Sequence, residues 1–281
     1  MNYLKYRVSE FLYGGKKIKI DNKALVLEVA CGGKPYWRSN VLVDRYVHDD
    51  AERNAALVID RDFVVADVFK LPFADKTFDF VIARHILEHL PNVELFIAEL
   101  ERVAKAGYIE TPSAESEEIF GWPFHIWKVS KNNEKLFIVG KELRPDSLGE
   151  RLRLFLEKTN NVKHFFVKYR DLLYVDYYWQ DKINFSLENT KYQREISGTE
   201  YVVNDIDLEG IRRRYSRNTK IKIFVNKWRR KLFYRGPAID LNHLLACTDC
   251  KAALIDNSDE YVCSNCKKKF KKIKKIPIMI S

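Results

Sequence analysis

The sequence lacks any apolar run long enough to cross a membrane. Its longest apolar runs fall far below the roughly 18 residues that a membrane-spanning helix needs, and the opening MNYLKYRVSEFLYGG has no uninterrupted apolar segment of the signal-peptide type. It also lacks internal repeats. With 281 residues, 46% of them hydrophobic, the chain can build one large core and a small additional unit. We therefore expect a cytoplasmic protein.

Acidic residues are few relative to basic ones. The chain has 49 Lys and Arg against 39 Asp and Glu, which gives a formal net charge of +10 at pH 7. This excess favours an anionic partner, such as nucleic acid, acidic lipid headgroups or a phosphorylated or nucleotide-linked substrate. A protein from a lysine-rich proteome would show the same balance without such a partner.

Cysteine is scarce outside the C-terminal segment. Cys31 stands alone, whereas Cys247 with Cys250 and Cys263 with Cys266 form two CxxC pairs. Without a secretion signal, such pairs indicate metal binding rather than disulfides. Two pairs offer four thiolates to a tetrahedral zinc ion and leave no coordination position for catalysis. We predict a structural zinc ribbon, with a degenerate, metal-free copy as the alternative.

Short apolar runs alternate with helical stretches between residues 24 and 112. The runs are ALVLEVA, VLVD, FVVAD, FDFVIA and GYIET, and the clearest helix is NVELFIAELERVAKA, with Asn92 as its N-cap. This alternation predicts an α/β fold with an open, mostly parallel sheet. Further along, HIWKVS and KLFIVGKE predict a hairpin, and YVDYYWQDKINFSLE predicts late antiparallel strands.

The sequence divides into four parts. Leu4, Val8, Phe11 and Leu12 fall at helical spacing and predict an N-terminal helix that packs on the main domain. The pair Gly236-Pro237 marks the last boundary. The predicted parts are this helix at 1–22, the α/β domain at 23–205, a basic amphipathic linker or helix at 206–238, and the zinc ribbon at 239–281.

The first apolar run breaks at two glycines. In VLEVACGGKPYWRSNVLVD, Gly32 and Gly33 follow the strand that carries Glu28, and Asp44 ends the next strand. Glycine lets the backbone approach a ligand closely because no Cβ intrudes. An acidic residue at the tip of the next strand can accept hydrogen bonds from the ribose of a nucleoside. A plain turn between two strands would leave the same pattern.

The segments that follow favour a nucleoside-binding site over a plain turn. Residues 66–90 read ADVFKLPFADKTFDFVIARHILEHL. In order and spacing, residues 20–115 resemble the class I S-adenosylmethionine-dependent methyltransferases. The resemblance is closest to a largely small-molecule subgroup with E-x-G-C-G, D-x-x-x-L-P-F, F-D-x-V and L-E-H. It implies a Rossmann-like sheet at 23–205 and S-adenosylmethionine as cofactor. The cofactor-binding residues that it implies are Glu28, Ala30, Gly32 and Gly33 around the methionine part, Asp44 at the ribose, and Asp67 and Val68 at the adenine edge.

Two features depart from the family pattern. The family usually has glycine where Ala30 stands, so the loop is less permissive. The family also usually has a full helix between the first two strands. In this chain the corresponding segment, residues 33–40, has only eight residues. Because parallel neighbours normally need a crossover of about a dozen residues, we expect a compact loop shaped by Pro35. This loop would leave three side chains near the cofactor or at the mouth of its site, namely those of Tyr36, Trp37 and Arg38.

The resemblance also implies where the reaction occurs. Arg84 and His85 follow the fourth strand and would face the reacting centre. His125 lies in GYIETPSAESEEIFGWPFHIWKVS, where such enzymes insert substrate-binding elements, and Glu110 is a further candidate base. Methyl transfer mainly needs alignment and exclusion of water, but an acidic acceptor benefits from a base or a cation. The alternative for His125 is a packed hairpin histidine that bonds a backbone carbonyl, and we expect His89 to be structural.

The sequence says less about the methyl acceptor than about the cofactor. No [DN]-P-P-[YFW] motif follows the fourth strand, which argues against the amide or adenine amino methylation that uses it. We favour a small molecule, a sugar or a lipid-linked glycan as acceptor. The alternatives are tRNA, rRNA or a translation component, and a non-catalytic S-adenosylmethionine-binding or scaffold protein.

The C-terminal part carries a second resemblance. LLACTDC and the ending IPIMI resemble small zinc-ribbon proteins that activate methyltransferases of tRNA, rRNA and translation factors, which implies that the ribbon stabilises the enzyme in cis. Residues 212–235 and 267–275 are basic and could bind RNA or an acidic membrane surface, which would make the protein peripheral to the membrane. Alternatively, the first segment is a docking helix with a solvated face, and the lysines of the second offset the charge of the zinc thiolates.

Overall fold

The computed structural model describes residues 17–48, 55–141, 149, 151–152, 154–155, 165–166, 168–190 and 203–280. The N-terminal helix predicted from Leu4 to Leu12 lies outside these residues. Each of the five predicted parallel strands contributes hydrophobic side chains to one buried cluster, among them Leu27, Val43, Val64, Val81 and Ile109.

The centre of the molecule is a six-stranded sheet. Its strands are β1 Val26–Val29, β2 Val41–Asp44, β3 Phe63–Val65, β4 Phe78–Arg84, β5 Ala104–Pro112 and β8 Tyr174–Gln180. Their order is β3-β2-β1-β4-β5-β8, and every pairing is parallel except that of β8 with β5. β1 and β2 are fully buried, as expected for inner parallel strands. The predicted Rossmann-like, mostly parallel α/β fold is confirmed.

A second, three-stranded sheet packs beside the first. Its strands are β6 Trp127–Asn132, β7 Lys135–Gly140 and β9 Phe185–Glu188. β6 and β7 are antiparallel, which confirms the predicted hairpin. β9 pairs in parallel with β7, so the prediction of antiparallel late strands holds for β8 and is wrong for β9. The chain turns at Asp181, which has a φ of 59°, and then joins the free edge of the hairpin instead of returning along β8.

The described helices lie between the strands of the sheets and in the later part of the chain. They are the 3-10 helix η1 Leu87–His89, α1 Val93–Val103, α2 Ala114–Phe120, α3 Arg170–Leu173, α4 Leu208–Arg213, α5 Arg217–Phe233 and α6 Leu241–Leu244. The Asn92 side chain accepts the N–H of Leu95 and caps α1, as predicted. Within the described ranges, no helix combines the length and apolarity needed to cross a bilayer.

Glu28 holds the short connection between β1 and β2 in place. The Glu28 carboxylate accepts the Tyr36 N–H at 2.7 Å and the Ser39 hydroxyl at 2.6 Å. The Asn40 N–H also donates to the carbonyl of Val26 at 2.8 Å. These bonds replace the internal bonds that a crossover helix would have made.

Two side chains of this loop make contacts that the sequence analysis did not predict. Arg38 is buried, and its Nη2 donates to the carbonyls of the segment before β1, those of Asp21, Asn22 and Ala24. Trp37 packs edge-on against Phe233 with ring centroids 6.1 Å apart, and the Arg229 guanidinium lies 4.1 Å from its ring centroid. α5 thus covers the short crossover and packs against Trp37, whereas the location of these side chains near the cofactor or at its mouth stays a prediction.

A four-stranded antiparallel sheet forms the C-terminal unit, which we define as residues 239–280. Its strands are β10 Leu254–Asn257, β11 Glu260–Cys263, β12 Lys269–Ile273 and β13 Ile276–Pro277. Beyond β13, Ile278 forms a parallel bridge with Val65, and the Met279 N–H donates to the carbonyl of Val65 at 2.7 Å. The unit thus extends the central sheet and covers the otherwise open edge of β3.

Ala30, directly after β1, has a left-handed backbone with a φ of 50°. This conformation costs an L-residue about 1–2 kcal/mol, and the larger unfolded-state entropy of glycine offsets about 0.4–1 kcal/mol of any gain. We expect Ala30→Gly to raise the free energy of unfolding by up to about 1 kcal/mol, measured by urea denaturation. The matched control, Ala106→Gly within β5, should lower it by about 0.5–1 kcal/mol. Equal losses in both variants would contradict the left-handed assignment.

Candidate functional site

The carboxyl ends of the parallel strands carry acidic side chains along one edge of the sheet. Glu28 is the last residue but one of β1, Asp44 ends β2, Glu110 lies near the end of β5, and Asp67 follows β3. In open α/β sheets, ligands bind at this edge, in the crevice where the strand order reverses. Here the order reverses between β1 and β4.

The loop after β1 and the tip of β2 form one unit. The Gly32 N–H donates to Asp44 Oδ2 at 3.0 Å, and the Tyr46 N–H donates to Asp44 Oδ1 at 3.1 Å. Ala30 and Gly32 both have left-handed backbones, with φ of 50° and 54°. The structure therefore brings these predicted residues together, with Asp44 holding the turn that Ala30 and Gly32 create.

The remaining predicted cofactor residues have separate surroundings. A Cβ on Gly33 would lie 2.7 Å from the Cβ of Ala55. Glycine is therefore needed at this position because the loop packs closely against residue 55. Asp67 pairs with Arg45 at 2.6 Å and accepts the Phe69 N–H at 2.9 Å. The Val68 side chain is buried in the main core.

Glu28 and Arg84 form a salt bridge between the ends of β1 and β4. Arg84 Nη2 donates to Glu28 Oε1 at 2.9 Å and to the carbonyl of Lys34 at 2.7 Å. Burial lowers the pKa of Arg84, but the carboxylates of Glu28 and Glu110 outweigh it and raise the pKa. Arg84 was predicted to face a reacting centre, and its observed contacts tie it to the loop after β1.

His85 lies between two carboxylates and has a half-exposed side chain. Its Nε2 is 3.2 Å from Glu110 Oε1, and its Nδ1 is 3.6 Å from Glu88 Oε1. Desolvation lowers the pKa of His85, but the two carboxylates outweigh it and raise the pKa to about 9. His85 is therefore an imidazolium at neutral pH, which suits a neutralising cation better than a general base.

Arg170 completes a buried cluster that the sequence analysis missed. Its Nη1 lies 2.7 Å from Asp176 Oδ2, its Nη2 bonds Glu110, and the Tyr108 hydroxyl lies 2.8 Å from Glu110 Oε2. Burial raises the pKa of Glu110, but His85, Arg170 and Arg84 outweigh it, so the pKa is lowered well below its usual range. No motif marks Arg170, because it comes from α3, distant in the chain from β5.

His125 is buried and bonds a carboxylate. Its Nδ1 is hydrogen-bonded to Glu117, whose other oxygen accepts from Lys141 Nζ at 2.7 Å. The alternative that His125 bonds a backbone carbonyl through this nitrogen is therefore wrong. Its ring packs against three aromatic rings at centroid distances of 4.7, 4.8 and 5.1 Å, those of His89, Phe124 and Trp122. Neither Glu117 nor Lys141 was predicted to take part.

The four C-terminal cysteines converge. Their sulfurs all lie within 4.8 Å of one another, with Cys247 and Cys266 sulfurs 3.6 Å apart and Cys250 and Cys263 sulfurs 3.4 Å apart. The two CxxC turns are alike, since Lys251 and Lys267, which follow them, have φ of 57° and 61°. This cluster can hold a metal ion through four thiolates.

A comparison with known protein families matches the segment that carries several of these residues. A family model described as "Methyltransferase domain" matches residues 27–109. A 45-residue stretch is 44% identical to ajmaline N-methyltransferase of Rauvolfia serpentina, covering 16% of each chain, so the chain spans only a small part of that relative.

Two solved structures show partial similarity. The PH0226 protein from Pyrococcus horikoshii OT3 is 25% identical, with a TM-score of 0.28 over 40% of this chain and 59% of that chain. The YcgJ protein from Bacillus subtilis is 18% identical, with a TM-score of 0.29 over 55% and 65% of the two chains. These scores add no argument to the domain match.

The Arg170 cluster generates a stability prediction. Arg170→Met keeps much of the side-chain volume but leaves Glu110 and Asp176 without their guanidinium. Loss of one partner from a buried ion cluster costs about 3–5 kcal/mol, so we expect a loss of that size in urea unfolding at neutral pH. The control is Arg213→Met, because Arg213 pairs with Glu209 while both side chains are 80% exposed, and we expect little change there. Equal effects of the two substitutions would disprove the role of Arg170.

Proposed function

We propose that this protein is an S-adenosylmethionine-dependent methyltransferase whose acceptor is a small molecule, a sugar or a lipid-linked glycan. The proposal rests on the observation that the segment matched by the methyltransferase model also carries the acidic residues at the carboxyl edge of the sheet. The matched methyltransferase domain spans residues 27–109, and the same residues supply Glu28, Asp44 and Asp67 at the carboxyl edge of the sheet. The N-methyltransferase that matches a short stretch supports a small-molecule acceptor.

The residues at this edge fit the proposed cofactor. Asp44 is 7% exposed and already accepts backbone N–H groups, so its carboxylate is oriented to accept from ribose hydroxyls as well. Asp67 and the backbone of Val68 would hold the adenine edge. The left-handed turn at Ala30 and Gly32 would present backbone groups to the methionine part.

The reaction needs little from the protein beyond placement. Bound S-adenosylmethionine supplies a methyl group on a sulfonium that is ready for in-line displacement. The protein's own groups would orient the acceptor and exclude water. His85, as an imidazolium beside Glu110, would neutralise an acidic acceptor. His125 and the surrounding aromatic rings would form the wall on which the acceptor packs.

A second candidate function is methylation of RNA or a translation component. It is supported by α5, which carries seven Lys and Arg residues and no acidic residue. It is also supported by the C-terminal unit, whose sequence resembles activators of methyltransferases that act on RNA and translation factors. On its outward side α5 also exposes Phe224, Trp228 and Leu232, which suit an apolar or membrane-bound partner as well as nucleic acid. We therefore keep the small-molecule acceptor as the first candidate.

The acceptor class and the cofactor site can be tested together. Zinc-loaded protein and S-adenosylmethionine with a labelled methyl group are incubated with separate RNA, protein, lipid and small-molecule fractions of a cell extract. We expect label in the small-molecule or lipid fraction. Label confined to RNA or protein would favour the second candidate, and calorimetric binding of S-adenosylmethionine without any transfer would favour a non-catalytic role.

Asp44→Ala is the matched variant for this experiment. Loss of charge-assisted hydrogen bonds to the ribose should weaken S-adenosylmethionine binding by about 1–3 kcal/mol, roughly five- to 150-fold in the dissociation constant. Calorimetry measures it, and thermal unfolding reports any loosening of the turn at Gly32. Asp259→Ala, in an exposed turn of the C-terminal unit, should bind as wild type. An unchanged dissociation constant for Asp44→Ala would reject the ribose assignment.

We further propose that the four cysteines hold a structural zinc ion and that the C-terminal unit stabilises the methyltransferase domain in cis. Met279 is 1% exposed, and its N–H bonds Val65 on the edge strand. Met279→Pro removes that donor and the buried side chain, so we expect a loss of at least about 2 kcal/mol in unfolding free energy. The zinc held by the four cysteines should stay at one ion per chain, and Met279→Leu, which keeps the N–H, should lose little stability. Wild-type stability of Met279→Pro would show that the unit is only tethered.

A further inference from the structure

Three potential metal ligands converge beside the candidate active site. One ligand atom from each of Glu88, His89 and His125 lies within 4.8 Å of the others. Glu88 and His89 belong to η1, directly after β4, whereas His125 precedes β6. The Ile126 N–H donates to the carbonyl of Glu88 at 2.8 Å, so the backbone itself holds the two segments together.

Glu88 is a buried carboxylate with one oxygen left without a donor. Its side chain is 1% exposed, and Oε2 accepts the Thr111 hydroxyl at 2.9 Å. Among the described residues, Oε1 accepts no hydrogen bond, and the nearest basic atoms are His85 Nδ1 at 3.6 Å and His89 Nε2 at 4.0 Å. A buried carboxylate oxygen in such surroundings is stabilised by a cation.

His125 is oriented as a metal-binding histidine is. Its Nδ1 is committed to Glu117, which leaves Nε2 as the ring atom available for another bond. Lys141 Nζ in turn holds Glu117 by a 2.7 Å bond, and all three side chains are buried. Metal-bound histidines commonly carry a carboxylate partner on the other nitrogen, which fixes the ring and raises its basicity.

We infer that Glu88, His89 and His125 form a second metal site, which binds a divalent transition ion such as Zn²⁺, Fe²⁺ or Co²⁺. Two imidazoles and one carboxylate are a ligand set of catalytic zinc and non-haem iron sites. Bonds of about 2.0–2.2 Å would draw the three ligand atoms closer together than they are now. Three protein ligands leave at least one position open, unlike the four cysteines.

The open position gives the site a role in the proposed function, on which this part of the inference rests. An acceptor hydroxyl bound to a divalent ion loses its proton more readily and becomes a better nucleophile. The acceptor would supply the oxygen and release its proton to solvent, so the chain needs no general base. A hydroxylated small molecule that can bind a metal through oxygen is the substrate class that this site would take.

Metal binding itself can be measured without cofactor or acceptor. The 281-residue chain is first loaded with a single equivalent of zinc, which the four cysteine thiolates take up, and Co²⁺ is then titrated while visible absorption and heat are recorded. We expect one further equivalent to bind with cobalt d–d bands and no thiolate charge-transfer band. Glu88→Gln should weaken this binding at least tenfold, and Glu117→Gln about 10–100-fold through loss of the His125 orientation.

The controls separate a ligand effect from a folding effect. His243→Ala removes a histidine that is 85% exposed and should bind Co²⁺ as wild type does. Both Gln substitutions preserve side-chain shape, and thermal unfolding checks each variant. The inference is overturned if zinc-loaded protein binds no further Co²⁺, if the added Co²⁺ shows thiolate charge transfer, or if Glu88→Gln binds like His243→Ala. Because S-adenosylmethionine is absent, failure of the proposed methyl transfer would not alter these outcomes.

Discussion

The salt bridge between Glu28 and Arg84 is the interaction on which the rest of the site depends. It joins the ends of β1 and β4, the neighbouring strands between which the strand order reverses. The same carboxylate holds the short crossover through the Tyr36 N–H and the Ser39 hydroxyl. One buried acid therefore fixes both walls of the crevice in which α/β proteins bind ligands. Removing either partner would leave a buried charge uncompensated, which is far costlier than losing an exposed pair.

Charge balance explains how so many acids share one edge. Glu28 faces Arg84, and Glu110 faces His85 and Arg170, so each of these buried carboxylates has a basic partner. Under the proposed function this arrangement has a use, because an edge rich in carboxyl groups suits a cofactor that carries a sulfonium. Glu88 Oε1 lies 3.6 Å from His85 Nδ1 and 4.0 Å from His89 Nε2, too far for a hydrogen bond, which is why we place a metal ion there.

Much of the fold could be predicted from the sequence because its signals are local. Apolar runs mark the parallel strands, Asn92 marks the start of α1, and the CxxC spacing marks the cysteine cluster. The partner of β9, the position of Arg170 and the Glu117–His125 bond could not be predicted, since each joins segments whose meeting depends on tertiary packing. The sequence showed that the crossover was too short for a helix, but not that α5 would cover it and bind Trp37.

The most direct measurement is a crystal structure of the zinc-loaded protein with bound S-adenosylhomocysteine, the demethylated product of the proposed cofactor. Our account predicts the ribose on Asp44, the adenine beside Asp67 and the amino-acid part against the turn at Ala30 and Gly32. Clear density for the ligand at another surface, with no ligand hydroxyl bonded to Asp44, would contradict the central claim.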